Sequence, residues 1–168
     1  MVDNKTSIEG GNQVDVLRGA IGHRATWTGL TYVKGKAAGM AEEAEKFIRE
    51  AILETGEVQG GGIKSRCSDP QDVACFAETF LTPNVLKAFD IKFKTKTEDR
   101  VDLEFHHCPL LKAWQDLGID NATCEKLCDM AMDGDRGIAK VMGFDFNLGG
   151  TLAKGSSTCE VSFFKQGK

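Results

Sequence analysis

The chain has no apolar run that reads as a membrane span, no CxxC pair, no phosphate loop and no clustered lysine and arginine with interleaved aromatics. Each absence removes a class of function. Without the basic cluster, and with a formal net charge of −4, a nucleic-acid surface is not its main business. Gly60, Gly61 and Gly62 lack the Lys-Ser/Thr ending that cradles phosphates and follow no convincing strand, so they read as a flexible linker. Met1 to Asn12 is polar, with no apolar core, which argues against a signal peptide or a membrane partner. The expectation is a cytoplasmic protein with reduced thiols.

What is present is a globular composition, 41% hydrophobic and 27% charged over 168 residues, enough for one real core. Residues 1–12 read as a flexible tail and 13–168 as a single domain. Gln13 to Glu54 has helical spacing, with a break expected at Gly35 to Gly39. Ser68-Asp69-Pro70 reads as a helix start, and Thr82-Pro83 as a second one that ends near Phe89. Ile91, Phe93 and Thr95 alternate with Lys92, Lys94 and Lys96, and Val101, Leu103 and Phe105 alternate with Asp102, Glu104 and His106. This period of two predicts a hairpin whose outer charges oppose one another. Helices are expected from Pro109 to Gly118, from Asp120 or Asn121 onward, and up to Gly143. Phe144, Phe146 and Leu148 then alternate, Thr151 to Ala153 extends that strand past Gly149-Gly150, and Cys159, Val161 and Phe163 form the last. Tight turns pair strands antiparallel, so the fold class is α+β: an antiparallel four-stranded sheet of two hairpins, helices on one face, and a helical N-terminal half.

Six cysteines, at 67, 75, 108, 124, 128 and 159, are many for such a chain. Cys108 stands where a strand meets a helix. There it would face unpaired amides and the positive end of the helix dipole, both of which favour the thiolate. A buried thiol between strand and helix is the competing reading. His106 and His107 precede it, one toward each face of the sheet. Cys124 and Cys128 share a helix face. Zinc needs three or four ligands, which Cys108, Cys128, Cys159 and a histidine could supply, but the spacing usual in zinc loops is missing, so no cofactor is expected. Asp129 to Asp135 fails as a calcium loop, with Ala131 and Lys140 at ligand positions. Asp133 and Asp135 therefore read as turn formers, or as carboxylates able to activate water. Arg136 and Lys154 are surface cations, or hold a substrate carboxylate; the bidentate geometry of arginine favours Arg136.

The succession HHCPLLKAWQDLG, CEKLCDMAMDGD and FNLGGTLAKGSSTCEVSF resembles the L-2-amino-thiazoline-4-carboxylic acid hydrolase family. The residues that carry the likeness are Cys108, Leu117-Gly118, Cys128, Asp133 or Asp135, Thr151, Gly155 and Cys159. The resemblance implies hydrolytic opening of a cyclic amidine, a small-molecule substrate, to a carbamoyl-cysteine. Taken with the readings above, it gives a catalytic set of Cys108, His107, Cys128, Asp133, Asp135 and Cys159, with Arg136, Thr151 and Lys154 expected around the substrate. Either Cys108 attacks, with His107 shuttling the proton, or Asp133 or Asp135 activates water. The same element order is also similar to ligand-binding domains of the vinyl-4-reductase type, which would use the thiols for metal or redox sensing without turnover. Both readings allow a homo-oligomer.

Overall fold

A computed structural model describes residues 5–6, 8 and 11–167. The expected tail therefore falls largely outside the described residues. Of the part that is described, Thr6 accepts a hydrogen bond from Arg18 Nη2 at 3.1 Å.

Two long helices, α1 (Asn12–Ala37) and α2 (Ala41–Lys64), are followed by the short α3 (Val73–Phe80) and α4 (Pro83–Phe89). A hairpin of β1 (Ile91–Lys96) and β2 (Arg100–Phe105) comes next, and then α5 (Pro109–Asp116), α6 (Asn121–Ala131) and α7 (Asp133–Met142). The chain closes with β3 (Phe144–Leu148), a 3-10 turn (Leu152–Lys154) and β4 (Cys159–Lys165). The strands lie in the order β1-β2-β4-β3, every neighbour antiparallel, so the two hairpins join edge to edge. Lys94 Nζ lies 3.2 Å from Glu104, across the outer face as the alternation predicts. Among the described residues no helix is long and apolar enough to cross a membrane.

Three local expectations are corrected. Gly60 to Gly62 do not form a linker; they lie inside α2, where Gly56 and Gly60 let α2 and α7 touch. A Cβ on Gly56 would stand 2.1 Å from Gly134 O, and one on Gly137 would stand 2.4 Å from Leu53 O. The backbones themselves meet along this seam, and packing outweighs the helix cost of glycine. The helix expected at Ser68 begins instead at Val73, capped by Asp72, whose carboxylate accepts from Ala74 N–H at 2.8 Å. Asp69 is used in a local turn, accepting from Gln71 N–H at 2.9 Å. Thr151 to Ala153 does not extend β3: Thr151 Oγ1 accepts from Lys154 N–H at 3.2 Å and caps the 3-10 turn.

Two apolar cores result. One lies between the sheet, α3 and α7, around Phe76, Phe163, Val101 and Leu103. The other gathers Trp114, Leu127, Met130 and Leu152 between α1, α5, α6 and the 3-10 turn. Trp114 Nε1 is buried there and donates to Ala25 O at 2.8 Å, which ties α5 to α1.

Candidate active site

Cys108 caps α5 as its position predicts, its Sγ accepting from Leu111 N–H at 3.5 Å. The cap does not produce a thiolate. Burial pushes the Cys108 thiol up to about 12, helped by the neighbouring Cys159, and the amides at the helix start only partly offset this. Desolvation penalises the charged form by more than one helix end can return.

The fold brings Cys108, Cys128 and Cys159 together. Cys159 pairs in register with Phe105, the last residue of β2, three residues before Cys108. Its Sγ accepts from Leu152 N–H at 3.2 Å. Cys128 reaches the same core from α6, and its thiol is held up by burial first and then by Cys108 and Cys159. Burial raises Cys159 as well. Near neutral pH the site therefore presents three neutral thiols. Cys108 and Cys159 nonetheless keep part of their surface exposed.

Asp135, near the start of α7, has the same character. It is only half-buried by exposure, yet burial raises its carboxyl from 3.8 to about 6, against the opposing pull of Arg24 and then Arg136. Arg24, an exposed residue of α1, acts on Cys108 and on Asp135 alike, which places the thiol and the carboxyl in one electrostatic neighbourhood. Among the described residues no ion pair engages the Arg24 guanidinium.

The remaining candidates are placed differently. Asp133 accepts from Arg49 Nη1 at 2.9 Å and from Arg136 Nη1 at 2.5 Å. Asp129 accepts from the same two arginines, so Arg136 is engaged in a network that clamps the α6–α7 junction. Thr151 is buried and engaged in its cap. Lys154 is exposed, lowers the Cys128 pKa, and lines a cavity of about 160 Å³ with Leu111, Gln115, Glu125 and Leu152. A larger depression of about 550 Å³, at the start of α1 beside Asn84, has no titratable lining and stands apart from this chemistry. His107 is buried, with its backbone N–H donating to Phe89 O at 3.0 Å. His106 Nε2 lies 3.8 Å from Glu104 Oε2 on the other side. Among the described residues no group of three or more His, Cys, Asp or Glu is arranged to hold a metal ion.

Arg24 is the residue the sequence reading misses. Its one signal is a stripe of small residues, Gly22, Ala25 and Gly29, at spacings of three and four. That stripe lets α1 approach α5: a Cβ on Gly29 would stand 2.7 Å from Trp114 Cδ1. The close approach is what brings Arg24 within electrostatic reach of Cys108.

Compared with known families, residues 19–163 match the family model of L-2-amino-thiazoline-4-carboxylic acid hydrolase. No curated protein and no solved structure matches the chain.

Proposed function

The chain belongs to the L-2-amino-thiazoline-4-carboxylic acid hydrolase family, and from that premise we propose that it opens a cyclic amidine bearing a carboxylate, with Asp135 as general base. The observation that carries this reading is the pairing of a carboxyl raised to about 6 with a neutral thiol, both within reach of the Arg24 guanidinium, which makes no ion pair among the described residues. A base with a pKa near the working pH combines an ionised fraction with real basicity. A thiol raised to about 12 is almost wholly protonated there and is a poor nucleophile. The balance favours activated water over Cys108 attack.

In this mechanism Arg24 holds the substrate carboxylate and the ring lies over Cys108 and Cys159. Asp135 takes a proton from water as its oxygen adds to the ring carbon between nitrogen and sulfur. The carbon–sulfur bond then breaks, since sulfur leaves more readily than nitrogen, and the departing sulfur takes a proton. The carbamoyl group stays on nitrogen. Cys128 and Cys159 shape the wall, and their neutral state keeps anionic charge away from the attacking oxygen.

The test is ring-opening of 2-aminothiazoline-4-carboxylate followed by mass spectrometry of the product. Asp135→Asn is expected to lose about 10²- to 10³-fold in kcat, Cys108→Ser to stay within about tenfold of wild type, and Arg24→Met to raise KM. A Cys108→Ser enzyme that is dead beside an active Asp135→Asn enzyme would return the reaction to thiol attack. Absence of any turnover, with thermal stabilisation by a small ligand, would favour the ligand-binding reading.

A further inference from the structure

Two thiols lie away from the site, at the corner where α2 hands over to α3. Cys67, just past the end of α2, is buried, and its Sγ donates to Thr79 Oγ1 at 3.3 Å. Cys75, in the first turn of α3, is partly exposed, with its Sγ 3.5 Å from Ser68 Oγ. Thr79 Oγ1 in turn donates to Cys75 O at 2.9 Å, so one hydroxyl ties both cysteines. Each thiol also lies within electrostatic reach of the other. Both are free in the structure.

We propose that Cys67 and Cys75 are a redox-modifiable dithiol that closes to an intramolecular disulfide when the protein meets hydrogen peroxide. The exposed thiol acts first. Cys75 sulfur attacks one peroxide oxygen, the O–O bond breaks, and hydroxide leaves with a proton as water, giving a sulfenic acid. Cys67 sulfur then attacks Cys75 sulfur; the S–S bond forms, the S–O bond breaks, and a second water departs. Two thiols are oxidised and one peroxide is reduced.

The surroundings divide these roles. The Ser68 hydroxyl, and then the Asp69 backbone amide, lower the Cys75 pKa, whereas burial raises that of Cys67. Reactivity toward peroxide follows thiolate character and access. Cys75 has both, while Cys108, Cys128 and Cys159 are held protonated by burial. The chain thus carries one oxidisable pair and one protected cluster.

Trypsin places Cys67 and Cys75 alone together on one peptide, residues 67–87, so the modification is read directly. The full-length chain is treated with stoichiometric hydrogen peroxide, its remaining thiols are alkylated, and the digest is weighed. The expected result is a 67–87 peptide two hydrogens lighter and refusing alkylation, restored by dithiothreitol, with the other four cysteines alkylated. Oxidation should also raise the melting temperature by about 5 °C, a shift absent in Cys75→Ser, where the substitution falls on a partly exposed side chain. Oxidation concentrated on Cys108, Cys128 or Cys159, a sulfinic acid at Cys75 without the cross-link, or an unmodified 67–87 peptide would each overturn the proposal.

Discussion

The two cores of this molecule are filled differently. The sheet-side core is aromatic: the Phe76 ring lies 4.9 Å from that of Phe163 and 5.5 Å from those of Phe80 and Phe144. Its two thiols, Cys67 and Cys75, sit at its margin. The helix-side core instead admits four cysteines among its packed residues and has Asp135 and Arg24 within electrostatic reach. Aromatic edge-to-face contacts add to burial, whereas a buried titratable group subtracts from it. One core therefore holds the fold, and the other gives up stability to keep its titratable groups, the cost expected of the proposed site.

The sharpest way to break this contrast is to hollow out the first core. Phe76 is fully buried and touches three other rings, so Phe76→Ala removes transfer energy and leaves a cavity that the rigid neighbours cannot close. A loss of about 4 kcal/mol is expected in urea denaturation. If the loss is below about 1 kcal/mol, the aromatic cluster is not what holds the sheet to α3.

A somewhat smaller loss is expected where the two cores share a wall. Gly137→Ala places a methyl 2.4 Å from Leu53 O and 2.9 Å from Glu57 N, both backbone atoms that cannot swing aside. The helices must separate, at about 3 kcal/mol. Because α7 also carries Asp135, activity should fall with stability in this variant. Full activity at the lower stability would separate the α2–α7 seam from the site.

The same contrast decides what could be read without coordinates. The four strands are legible because one face of the sheet is buried, and a period of two then forces Val101, Leu103 and Phe105, or Cys159, Val161 and Phe163, to one side. The caps at Cys108, Thr82 and Asp120 are legible for a similar reason, since unpaired amides select the residue before the helix. The α2–α7 seam is not. Gly60 to Gly62 carry the local signal of a loop, and only a partner helix seven elements later makes Gly60 part of a packing surface. The site is half legible. Cys108, Cys128 and Cys159 do converge, but the sign of the Cys108 shift depends on how deep α5 sits, which no spacing records. Arg24 comes from a helix that pairs with α5 across about half of the chain.

The smallest effect is also the most telling, because it runs opposite to the loss of activity expected at the same residue. In the folded chain the Asp135 carboxyl keeps its proton up to about pH 6; in the unfolded chain it releases it near the ordinary 3.8. Between those values the folded state binds more protons, so stability falls as pH rises through the window, and the full cost is present above about 6. Asparagine keeps the shape and carries no such cost. Asp135→Asn should therefore be more stable than wild type by roughly 2 kcal/mol at pH 8, with the difference shrinking to nothing by pH 3. Wild-type kcat/KM should meanwhile climb with pH through about 6, as the base ionises. Equal stability of the two chains at pH 8 would mean that Asp135 is solvated after all, and that the helix-side core gives up nothing for its site.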